Sequence, residues 1–174
     1  MDRKIVLIIL FVGVLNLTNL IAQQTSQSRC KTQPEYRQFD FWIGEWEVKN
    51  PNEVLVGSSK VELVVGDCLI LENWTSSSGS DGKSMNYYNM FDQKWHQKWI
   101  GSEGIPIEFV GEYNAERKSM DYTGKSIGQN GEQLDYKFTF FHLNDDHVRQ
   151  LWEQTTDGGA SWATIFDGHY YRIK

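Results

Sequence analysis

Few side chains in this 174-residue chain have types and spacings suited to covalent chemistry. Glu72, Glu112 and Glu153 could move a proton, but each stands in a run where charged and apolar residues alternate, so each is expected on the wet face. His142 is the best candidate base, because imidazole titrates near neutral pH. It ends the run LDYKFTFFH on the same face as Leu134, Tyr136, Phe138 and Phe140, where a hydrogen-bonded core histidine is the simpler role. No nucleophile elbow, phosphate loop or HExxH stretch is present. Cys30 and Cys68 form no CxxC and belong to no Cys/His cluster of zinc-ligand spacing. No catalytic residue, metal or cofactor is therefore assigned.

The chain offers aromatic rings and amides instead, at a spacing of two. In KWHQKWI, Trp95, Gln97 and Trp99 share one face, while Lys94, His96 and Lys98 share the other. Tyr136, Phe138, Phe140 and His142 oppose Asp135, Lys137 and Thr139. Val148, Gln150, Trp152 and Gln154 oppose Arg149 and Glu153. This is the pattern of antiparallel strands with one buried face.

Turn residues punctuate these runs at Asn50-Pro51-Asn52, Gly66-Asp67, Ser76 to Gly82, Asp92-Gln93 and Ser102-Glu103-Gly104. Further turns fall at 114–116, 128–131, 144–146 and 157–159. Nine turns separate ten strands, which predicts an all-β fold, a single antiparallel up-and-down β-barrel. Only Pro34 to Phe41 carries helical spacing, as a short helical turn before the first strand. In FDFWIGEWEV, Trp42, Gly44, Trp46 and Val48 point one way, and Glu45, Glu47 and Lys49 the other. The whole stretch is expected as the first strand, with Gly44 at a bend or close approach.

If charges point outward, the interior collects Trp95, Gln97, Trp99, Tyr113 and Tyr122, then Tyr136, His142, Gln150, Trp152 and Tyr170. The same rule turns Leu69, Leu71 and Asn73 inward, and leaves Tyr87 or Tyr88 to face in on the next strand. Such a lining is aromatic with scattered amides and phenols rather than aliphatic. It suits a small-molecule ligand that is flat and partly polar, aromatic or amphipathic. The competing reading is a solid core whose Tyr and Trp groups bond to backbone or buried water.

Gly44 and Trp46 on the first strand, with Arg172 near the end of the last, resemble the calycin superfamily of lipocalins and fatty-acid-binding proteins. That resemblance implies that Arg172 lies over Trp46 and closes one end of the barrel, a cation–π contact of about 0.5–2 kcal/mol. FDFWIGEWEV, GDCLILENW, GKSMNYYN, KWHQKWI and DGGASWATIFDGHYYR together resemble a family of exported bacterial proteins that carries no established activity. This likeness runs from about Cys30 to Lys174 and implies a calycin-like barrel in the cell envelope. The nitrobindin branch of calycins implies a haem alternative, with His142 reaching the iron. TTDGGASW, Thr155 to Trp162, resembles the Asp-box hairpin of sialidases. A single copy reads as the last hairpin rather than as a propeller blade.

The chain opens MDRKIVLIILFVGVLNLTNLIAQQ. Arg3 and Lys4 precede an apolar core, and Ala22-Gln23 offers a cleavage point, the arrangement of a signal peptide over 1–22. The expected organisation is that signal peptide, a flexible leader over 23–33, and one barrel domain over 34–174. The product would be periplasmic or secreted, with no stable membrane anchor. Export makes a Cys30–Cys68 disulfide the default. The formal charge is −6 for the whole chain, and an acidic balance without a basic run argues against nucleic acid as a partner. The function expected is a non-catalytic carrier or sensor. The alternatives are an envelope enzyme, isomerase or hydrolase, acting on a ligand held in the barrel, and an interaction module with an aromatic outer patch.

Overall fold

The structure, a computed structural model, describes residues 28–128 and 130–174. The expected signal peptide, and the leader as far as residue 27, lie outside the described residues.

Alternating burial builds ten strands: β1 (Gly44–Lys49), β2 (Leu55–Val64), β3 (Leu69–Ser76), β4 (Asp81–Asn89), β5 (Lys94–Gly101), β6 (Pro106–Asn114), β7 (Ser119–Ile127), β8 (Gln133–Asn144), β9 (His147–Thr155) and β10 (Ala163–Arg172). Each pairs antiparallel with its chain neighbour, and β1 pairs with β10, so the sheet closes into one barrel without a free edge. A closed barrel of this order is compatible with calycin architecture. The final hairpin follows its sequence chemistry. Asp157 accepts from the Ser161 amide (3.0 Å) and the Ser161 hydroxyl (2.6 Å), and the Trp162 indole donates to the Gly159 carbonyl (3.2 Å). The Ser161 hydrogen bonds, with one from the Thr155 hydroxyl, hold the Asp157 carboxyl well below the usual carboxylate range.

Two expectations fail here. FDFWIGEWEV is not all strand. Asp40–Trp42 form a 3-10 turn, with the Trp42 amide donating to the Phe39 carbonyl (3.2 Å), and β1 begins only at Gly44. In a tight turn of three residues, Phe39 and Trp42 fall on one side. Their rings stack at 5.1 Å, and both pack on Phe140, fully buried. The segment is a plug inserted into one end of the barrel. Second, β3 has the opposite phase. Ile70, Glu72 and Trp74 face inward, while Leu69, Leu71 and Asn73 face out. The rule that charges point outward breaks because hydroxyl donors flank Glu72 on both sides. Tyr88 is the inward tyrosine of β4, edge-on to Tyr36 of the 3-10 turn Pro34–Arg37 that precedes the plug, and Tyr87 is exposed.

Beneath the plug, Trp46 and Arg172 are cross-strand partners. The Arg172 guanidinium lies 4.1 Å from the centre of the Trp46 ring. It also donates to the carbonyls of Ile43 (2.9 Å) and Asp145 (2.7 Å), while the Trp46 indole donates to the Trp42 carbonyl (2.9 Å). A short helix, α1 (Arg29–Thr32), precedes the plug and carries Cys30, which is disulfide-bonded to Cys68 in the β2–β3 turn. The end of the expected flexible leader is thus tied to the plugged end, where Arg37 also donates to the Asp67 carbonyl (2.7 Å).

A methyl group on Gly44 would strike the Arg172 guanidinium, and the glycine has φ +147°. Gly44→Ala should therefore destabilise the barrel by about 2 kcal/mol in denaturant unfolding. Replacing both cysteines by serine should cost up to about 4 kcal/mol, by the entropy of the loop released in the unfolded chain.

Candidate functional site

The plug fills only one end. Toward the other end, between the hairpins that follow β3, β5 and β9, lies a cavity of about 210 Å³. Its floor is buried: Glu72, Gln97, Phe109, Phe138 and Tyr170. Its rim is more accessible. Trp74, Trp99, Trp152 and Phe166 are half-buried, and Ile165 is 42% exposed. The β10 register shifts between Thr164 and Phe166, a bulge that lets the adjacent residues Ile165 and Phe166 both reach the cavity. Glycines make room for the rings. A Cβ on Gly57 would sit 2.6 Å from the Trp74 ring, and one on Gly82 would collide with Trp99.

Of the residues expected inside, Gln97, Trp99, Gln150, Trp152 and Tyr170 come together around this cavity. Trp95, Tyr122 and Tyr136 are buried in the packed interior beside it. Trp95 donates to the Gln38 side chain (3.1 Å), Tyr122 packs by Phe138 and Phe140, and Tyr136 lies edge-on to Trp152. Tyr113 and His142 belong to the plugged end, beside Phe41. The His142 ring stacks on Phe41 at 4.9 Å, with Nε2 3.5 Å from Asp145. His96 meets Asp92, and His147 meets His169, on the outer side of the wall. Among the described residues no histidine lines the cavity, so the residues present do not fit a haem ligated from the barrel wall.

Glu72, which sequence reasoning named as a candidate acid or base but placed on the wet face, is buried and lines the cavity. One carboxylate oxygen accepts from the Ser59 hydroxyl and the other from Ser84, each at 2.9 Å. Ser84 is its cross-strand partner on β4, and Ser59 lies on β2 beside it. Ser84 in turn accepts from the Asn86 amide (3.0 Å), and Asn86 accepts from Gln97 (2.7 Å). Across the cavity the Tyr170 hydroxyl donates to Gln150. Loss of hydration pushes Glu72 up to about 7, and the two serine hydroxyls offset this only in part. The available signal was the inward phase of Ser59, Ser84 and Asn86 on the flanking strands, three small polar residues that an all-apolar interior would not use.

No protein-family model and no curated protein matches the chain.

Because folding raises the pKa of Glu72 from 4.5 to about 7, the folded state holds its proton more tightly than the unfolded chain. The resulting stability is fully present below pH 4.5 and is lost as pH rises through 7, by about 3 kcal/mol. Denaturant midpoints should therefore fall between pH 5 and pH 8. In Glu72→Gln that part of the pH dependence should vanish.

Proposed function

We propose that this protein is an exported, non-catalytic binding protein, a carrier or sensor, that holds one small ligand with a flat ring at the open end of its barrel. The observation that carries the reading is the cavity of about 210 Å³ walled by Trp74, Trp99, Trp152 and Phe166 above a floor that holds Glu72 and Gln97 among aromatic rings. For scale, an apolar cavity of about 150 Å³ accepts benzene. Apolar walls with a few placed polar groups are the usual composition of a ligand site. The Cys30–Cys68 disulfide suits an oxidising compartment, in line with the signal-peptide pattern and the likeness to exported bacterial proteins. The same likeness argues for an envelope location.

A second reading has one specific observation in its favour. A carboxyl group that titrates near 7 in an aromatic cavity is poised for general acid–base work. On that reading the protein is a proton-transferring enzyme with Glu72 as base. Its mark would be Glu72-dependent exchange of deuterium from solvent into a bound carbonyl compound.

The binding reading is tested by screening ring-containing fragments of about eight to twelve heavy atoms against protein labelled at its tryptophan indoles. Fragments that bind should shift the Trp74, Trp99 and Trp152 resonances and leave that of Trp46 in place. If no fragment at millimolar concentration moves a rim indole, the cavity is packing space and the reading is wrong.

A further inference from the structure

Three features narrow the chemistry of the ligand. First, among the described residues Glu72 is the only carboxylic or basic residue that lines the cavity, and no lysine, arginine or histidine lines it there. Its hydrogen bonds come from neutral hydroxyls alone, so its charge has no counter-ion. A buried carboxylate in that state gains strongly from an incoming cation.

Second, the hydrogen bonds beside it have a fixed direction. The Asn86 amide nitrogen donates to the Ile70 carbonyl (3.3 Å) and to Ser84, which leaves its oxygen to face Gln97. Gln97 must therefore offer its nitrogen to Asn86 (2.7 Å). Its Oε1 is left as a buried acceptor without a protein partner, in a side chain that is 2% exposed and lines the cavity. On the opposite wall Gln150 already receives the Tyr170 hydroxyl. The Trp152 indole N–H also has no protein partner, and supplies a donor for one ligand acceptor. The floor is thus rich in acceptors: a carboxylate and an amide oxygen.

Third, the rim is walled by the rings of Trp74, Trp99, Trp152 and Phe166. Aromatic faces attract cations, most strongly where water is excluded.

Building on the reading of the barrel as a ligand-binding protein, we propose that the cavity takes a small flat organic cation bearing N–H donors, its positive group on Glu72 and the Gln97 oxygen and its ring against the rim aromatics. Amidinium, guanidinium and protonated amino-heterocycle groups share this chemistry. An anion of the same size would face the carboxylate with nothing to balance either charge. A neutral amide would lose the charge-assisted part of the interaction.

The test uses three probes of nearly identical shape, benzamidinium, benzamide and benzoate, titrated into the full chain at pH 8 and followed by the rim indole resonances. Benzamidinium should bind at least about tenfold more tightly than benzamide, with benzoate weakest. Glu72→Gln should remove that preference and leave benzamide within about threefold of its original affinity. Gln97→Leu, which keeps the carboxylate, should reduce benzamidinium binding several-fold and serves should the Glu72 variant fail to fold. Benzamide or benzoate binding as tightly as benzamidinium would overturn the cation proposal, as would a preference unchanged in Glu72→Gln. Neither result touches the reading of the barrel as a binding protein. Silence from all three probes also overturns the cation proposal, and the fragment screen then judges the broader reading by itself.

Discussion

Arg172 lies over the Trp46 indole while its guanidinium nitrogens reach the carbonyls of Ile43 and Asp145, and the closed end of the barrel depends on this contact. It joins the first strand to the last at their register point. It also pins the chain just where the plug turns into β1. A planar, permanently charged group is needed, because only a guanidinium can stack on a ring and donate sideways to two carbonyls at once. Gly44 follows from the same geometry, since its missing side chain is the space the guanidinium occupies. With this end filled by Phe39 and Trp42, the cavity of the ten-stranded barrel lies toward the other end.

That asymmetry gives the cavity its chemistry. The plugged half packs ring on ring, Phe39 and Trp42 against Phe140. The open half sets a carboxylate and amides among its buried rings low in the wall, and leaves its tryptophans spread at the rim. Buried polar groups are tolerated when they are hydrogen-bonded, and the chain from Gln97 through Asn86 and Ser84 to Glu72 meets that requirement at every link but the Gln97 Oε1, without neutralising the carboxylate. The interior therefore has an end filled by rings and an end that carries a buried polar network beside a cavity.

The strands, their turns and the closure of the barrel were legible because period-two alternation and turn residues are local signals. Trp95, Gln97 and Trp99 of β5, and Gln150 and Trp152 of β9, lie on the inner face that their alternation predicts. The start of β1 was misread because Phe39 and Trp42 are as compatible with a strand as with a tight turn, and only the space inside the barrel end decides between them. The phase of β3 was misread for a related reason. Leu69-Ile70-Leu71-Glu72 has apolar residues on both faces, so the single charge set the phase, and the donors that make Glu72 tolerable inside come from β2 and β4. His142 was placed on the correct face of β8, but sequence could not tell which end of the barrel its height on the strand corresponds to.

Everything proposed for the cavity turns on an uncompensated carboxylate facing it. The most direct measurement is a carbon-detected NMR titration of the glutamate carboxyl groups, with Glu72 assigned by its absence in Glu72→Gln. The account predicts one glutamate with a midpoint near 7, apart from the rest of its class. If every glutamate instead titrates at ordinary carboxylate pH, below about 5, then Glu72 is solvated or paired and the account of the cavity is contradicted.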